Sequence, residues 1–198
     1  MKAAYHSILV HLATGPLIFA FLAASFRFWF REPKGFLSLV WRACDVIVLY
    51  TVLFGMIIMV LTYITGLMLH PLEAFLNSPI AKNKIAIATL SIVFWGVWLV
   101  LRYRTGPDLW DVRGFAGHYA YLMIFAGAMF LVAINSIGGD IAGRPSGYEE
   151  FAMSLGFRTR HALYFPTWMN VGLWISGALG VLFAVQYRMN CRSRSEAS

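Results

Sequence analysis

Apolar residues fall along this chain in long unbroken runs, and the polar residues gather between the runs. A hydrocarbon layer about 30 Å thick is crossed by about 20 apolar residues in a helix. Five segments reach that length: Ser7–Phe30, Arg42–Leu69, Lys84–Leu101, Gly114–Ile137 and Tyr164–Tyr187. The connections hold the helix breakers: Pro33-Lys34-Gly35, His70-Pro71 through Ser78-Pro79, Thr105-Gly106-Pro107, and Gly138-Gly139 through Pro145. The pattern predicts an all-α fold, an integral membrane helical bundle of about five transmembrane helices forming a single domain over residues 1–198. The last long connection contains Tyr148–Leu155, which reads as a short helix on the membrane surface.

Composition sharpens this picture. The chain is 60% hydrophobic and 13% charged, against about 25% charged for ordinary soluble domains. Net charge is +7, but the basic residues stand at the ends of the apolar runs. That placement fits topology selection and anionic lipid, and leaves no soluble basic domain for nucleic acid. Cys44 and Cys191 are far apart and belong to no CxxC, so thiol exchange, c-type haem and a cysteine zinc site lose support.

With five crossings, Arg27, Arg31, Lys34, Arg42, Arg102, Arg104, Arg113, Arg188, Arg192 and Arg194 share one side of the membrane. Lys2, Lys82, Lys84, Arg144, Arg158 and Arg160 share the other. The positive-inside rule makes the first side cytoplasmic, with the N-terminus outside and the C-terminus inside a bacterial inner membrane. The first segment reads as a retained helix rather than a signal peptide, because its apolar run is too long and strong positive charge follows it.

The histidines are the candidate chemistry: His6, His11, His70, His118 and His161. Intramembrane ionisable groups are rare and mark candidate functional sites, and neutral imidazole is the usual protein ligand of haem iron in a helical bundle. On this topology His6, His11, His70 and His161 converge on the outer side. His118 stands alone near the inner one. His11 and His70 lie at similar depth on different helices, and Gly15 and Gly66, each about one turn deeper, leave room for a macrocycle. They are the expected axial pair, with His161 and His6 as substitutes. His6 and His11, five residues apart, point about 140° from each other on a helix and cannot share one metal.

Other polar residues have plainer readings. Asp45, beside Arg42, reads as an N-terminal helix charge. Asn135, Ser136 and Asn170 read as interhelical hydrogen-bonders, and Gly172, Ser176 and Gly180 as a face for internal helix packing. No Ser/His/Asp or Cys/His set indicates a hydrolase, no paired broken helices indicate a transporter, and no residue reads as catalytic.

The stretch His6-Ser7-Ile8-Leu9-Val10-His11-Leu12-Ala13 resembles the HP-x-x-VHFP opening of a bacterial family of predicted membrane proteins of unknown function. Thr65-Gly66-Leu67 and Ile137-Gly138-Gly139-Asp140-Ile141 look similar to that family's second and fourth helix endings. The resemblance covers about residues 5–145. This chain departs from it at Ser7, at Leu12-Ala13, at Lys82-Asn83-Lys84 (where a histidine is expected) and in its fifth helix. The resemblance implies four packed helices and haem-linked electron transfer.

The sequence therefore leads to two expectations. One is a b-type haem electron-transfer subunit, exchanging electrons with quinone or a periplasmic carrier near the outer face. The other is a cofactor-free accessory subunit packed among the other subunits of a membrane complex.

Overall fold

The computed structural model describes residues 2–30, 33–69, 77–110 and 115–141, with isolated positions at 73, 154, 171, 172 and 175. Four long helices account for most of them: α1 (Lys2–Trp29), α2 (Phe36–Leu69), α3 (Pro79–Thr105) and α4 (Phe115–Ile141). A 3₁₀ turn, Gly106–Trp110, follows α3. There is no strand among the described residues. All four helices are long and apolar enough to cross a membrane. His161 and nearly all of the fifth expected helix (164–187) and of the expected surface helix (148–155) lie outside the described residues.

The helices are longer than the apolar runs alone predict. α3 begins at Pro79 rather than Lys84 because Ser78 caps it: its hydroxyl accepts from the Ala81 amide (3.4 Å). Pro79 then takes a first-turn position where no amide is needed. α2 begins at Phe36 rather than Arg42. Gly35 supplies the left-handed backbone (φ 71°) that turns the chain straight into it. At 34 residues, α2 is about 51 Å long, well beyond the hydrocarbon thickness.

The helices alternate in direction, each packed on the next, and α4 closes back on α1. Leu17, Ala20 and Ala24 of α1, Val48 and Val52 of α2, Trp95 and Trp98 of α3, and Ile124 and Ala128 of α4 are fully buried. Small residues set the spacing. A Cβ on Gly55 would stand 2.6 Å from Leu17 Cγ, and one on Gly127 would stand 2.9 Å from Trp95 Nε1. Polar side chains stitch the helices together: Asn135 Nδ2 donates to Thr14 Oγ1 (3.1 Å), Ser91 Oγ donates to the Gly127 carbonyl (2.9 Å), and the hydroxyls of Tyr63 and Thr89 pair at 3.2 Å. Asn135 thus makes the interhelical bond expected of it. Gly172, by contrast, is exposed with nothing within 4 Å of a Cβ position, so this member of the expected internal packing face is open.

Gly138, from the paired glycines ending α4, makes room for Lys84, whose Nζ lies 3.3 Å from where a Cβ would stand. The ammonium rests near the C-terminal end of α4, where the helix carries partial negative charge. Only 28–39% of each span's most apolar window is buried within the bundle. Ile8, Phe19, Ile57, Val60 and Leu122 are among the exposed apolar side chains, and lipid or further helices must cover them.

Candidate functional site

The antiparallel register of α1 and α2 brings the start of one beside the end of the other. There His6, partly buried, meets Thr65 with Nδ1 and Oγ1 3.2 Å apart. Thr65 Oγ1 also lies 3.0 Å from the Thr62 carbonyl, to which it donates. A hydroxyl has one proton. With that proton on the Thr62 carbonyl, Thr65 faces His6 as an acceptor, and His6 Nδ1 carries the hydrogen. In the tautomer with hydrogen on Nδ1, Nε2 is the lone-pair nitrogen, the form suited to metal ligation or to accepting a proton.

Gly66 lets the imidazole lie against α2, since a Cβ there would stand 3.1 Å from His6 Cε1. Beside the ring opens a cleft of about 260 Å³, lined by Tyr5, His6, Thr65, Met68 and Leu69. It is chiefly apolar; among the described residues its side-chain heteroatoms are the imidazole, one thioether and two hydroxyl groups.

His11 sits differently. It is exposed and lies about 140° round α1 from His6, turned away from α2. Gly15 is also exposed, with nothing within 4 Å of a Cβ position. The room for a macrocycle read at Gly15 and Gly66 is therefore not shared: Gly66 faces His6, and Gly15 faces outward. His70, the next residue after α2, and His161 lie outside the described residues. His118 is exposed at the opposite end, its ring edge-on to Phe28 with centroids 5.2 Å apart. No group of three or more His, Cys, Asp or Glu side chains that could hold a metal occurs among the described residues.

The Asp45 end of the bundle carries charge that the sequence reading placed elsewhere. Asp45 is the tenth residue of α2, not its start, and it is 4% exposed. Arg102 of α3 grips it with both arms of its guanidinium, Nε to Oδ1 at 2.9 Å and Nη2 to Oδ2. Trp110 Nε1 adds a bond to Oδ1 at 2.7 Å, tying the 3₁₀ turn to the same carboxylate. Nearby, buried Arg27 donates to the Trp41 carbonyl (2.9 Å) and lies 4.0 Å from the Trp41 ring centroid. Cys44, a free thiol, is buried here. These contacts tie three helices and a turn together. The usable signal was an acidic residue flanked by apolar ones well inside an apolar run, since such a residue needs a partner.

Among known proteins, no family model, no curated protein and no solved structure matches this chain.

Proposed function

We propose that this chain is a haem-binding, electron-transfer subunit of a larger membrane complex, with a b-type haem held at the His6 end. One observation carries the reading: the His6 imidazole, its Nδ1 3.2 Å from Thr65 Oγ1, stands beside a cleft and against a helix kept bare by Gly66. An imidazole fixed through its other nitrogen is the usual form of a metal ligand. His6 therefore replaces His11 as the first candidate, while His70 stays a candidate from its position next to α2. A haem in the cleft would carry single electrons between outside partners. The cleft is smaller than the usual 300–1,000 Å³ or so of ligand pockets, so a macrocycle would enter by one edge. Tyr5 and Leu69 would border it there, and Thr65 would keep the imidazole from turning.

The end holding Arg27, Lys34, Arg42, Arg102 and Arg104 is richer in basic residues than the end holding Lys82 and Lys84. By the positive-inside rule it faces the cytoplasm, which puts the N-terminus and His6 outside the inner membrane. The electron partner there would be a quinone or a periplasmic carrier.

A second reading, a cofactor-free accessory subunit, is favoured by the outward face of α1. An imidazole at His11 and a bare backbone at Gly15 suit contact with another helix better than contact with lipid tails.

A reduced-minus-oxidised visible spectrum of the purified protein, with a pyridine haemochrome assay, separates the two. A b-type signal lost in His6→Ala and kept in His11→Ala supports haem at His6. Colourless, folded protein from haem-replete cells that purifies with other membrane subunits supports the accessory reading.

A further inference from the structure

His11 is an ionisable side chain turned to the outside of the bundle at hydrocarbon depth. The α1 span runs Tyr5–Trp29, with Leu17 at its midpoint. His11 stands six residues from that midpoint, about 9 Å along the helix axis, where the hydrocarbon half-thickness is about 15 Å. The imidazole is exposed and makes no hydrogen bond or ion pair among the described residues. Lipid tails offer it no partner, and ionisable groups at such depth pair with one another or with backbone carbonyls. We infer that the outward face of α1 packs on α1 of a second copy of this chain, His11 against His11 and Gly15 against Gly15.

Symmetry favours a second copy. Two copies inserted in the same direction are related by a twofold axis along the membrane normal. Their α1 helices then meet in parallel, and each residue near the axis meets its own counterpart at the same depth. A neutral imidazole suits this arrangement, because it has one N–H and one lone-pair nitrogen. One His11 donates and the other accepts.

Shape and charge agree with this. Gly15, one turn deeper on the same outward side, has nothing within 4 Å of a Cβ position. Bare backbones at one level let two helices approach closely. Ile8, Leu12, Phe19 and Leu22 are exposed and extend the face along α1. Residues 3–26 include no Asp, Glu, Lys or Arg, so like charges do not hold two copies apart. The inference rests on the second reading above, in which this face meets protein, and not on the haem.

The test uses the full chain in lipid vesicles, with Cys191→Ser to leave only the buried Cys44 thiol. Ile8→Cys places a thiol on the outward face of α1. Ile64→Cys, exposed on α2 close to Gly66 and so level with the start of α1, is the control. Mild oxidation should link two chains through Ile8→Cys and not through Ile64→Cys. Energy transfer between donor-labelled and acceptor-labelled copies, followed as lipid dilutes the protein, gives the dissociation constant of the pair. His11→Leu should raise it by about three- to twentyfold, the range spanned by hydrogen bonds between helices in a bilayer. Gly15→Leu should abolish the transfer, and thermal unfolding checks that each variant is folded.

A link through Ile8→Cys, with transfer weakened in His11→Leu, supports the pairing. Transfer indifferent to both His11→Leu and Gly15→Leu overturns it. So does a single-chain species with no link, and the face is then covered by lipid or by residues 164–187 of the same chain. Loss of another subunit in Gly15→Leu, without any link between copies, keeps the contact face and overturns the second copy. If no link forms and no subunit is lost, the inference and the contact face fall together.

Discussion

Arg102 of α3 and Asp45 of α2 face each other as a two-pronged pair inside the bundle, the Nε to Oδ1 bond measuring 2.9 Å. Both side chains are nearly closed to the surroundings (11% and 5% exposed). Taking one partner away strands the other charge, which costs about 3–5 kcal/mol at buried sites. Asp45→Asn should therefore lower the thermal midpoint in detergent sharply, by far the largest effect among the polar substitutions. The double variant Asp45→Leu/Arg102→Met should recover most of the loss, because no charge is left unpaired. A single variant as stable as wild type would mean that water or lipid headgroups reach the pair.

The bond from Asn135 to Thr14 joins α4 to α1 and involves no charge. Hydrogen bonds between helices in a bilayer average about 0.6 kcal/mol and reach about 1.7. Asn135→Leu should cost no more than that, measured by the same unfolding assay. A loss as large as that of Asp45→Asn would show that Asn135 holds more than this contact.

Two glycines should respond in opposite ways to alanine. At Gly127 the new methyl would meet the Trp95 ring at 2.9–3.0 Å, and that ring is fully buried. Overpacking of this kind costs about 1–3 kcal/mol. At Gly15 nothing stands within 4 Å, so Gly15→Ala should be neutral or gain up to about 1 kcal/mol of helix propensity. If Gly15→Ala instead breaks up a complex in mild detergent, a partner helix covers that face.

Thr65→Val removes the hydroxyl that meets His6 Nδ1 and changes the volume little. If the cleft holds a metal, affinity should drop by about 10–100-fold, the usual loss when a ligand's supporting contact goes. Equilibrium titration of the metal or haem gives the number, and an unchanged affinity would show that the imidazole is held by other contacts.

Arg27 lies over the Trp41 ring and donates to the Trp41 carbonyl at the same time. Lysine keeps the charge and loses the flat, stacking guanidinium. Arg27→Lys should cost about 1–2 kcal/mol, the range for a desolvated cation over a ring, and thermal unfolding against Arg27→Met would separate stacking from charge.

The architecture was legible from the sequence wherever it depends on counting. Four of the five apolar runs appear among the described residues as helices of spanning length, because the hydrocarbon thickness is a ruler that composition alone can meet. Helix ends were less legible. Ser78-Pro79 read as a breaker and is the capped start of α3, since the same residues that stop one helix begin the next. The polar pairing was legible only in kind. Asn135 was expected to bond across helices and does so, but Asp45 near Arg42 read as an end charge and instead holds Arg102, 57 positions away.

The site shows the same division. The sequence by itself determined that His6 and His11 stand near one end of a long apolar helix and point apart, because the helical repeat sets that angle. It could not say which of the two faces inward. That was decided by how α1 rotates to bury Leu17, Ala20 and Ala24 within the bundle. The rotation carries His6 to Thr65 and Gly66 and leaves His11 outside. Side-chain volume along the whole interface sets that rotation, and no motif in the first helix records it.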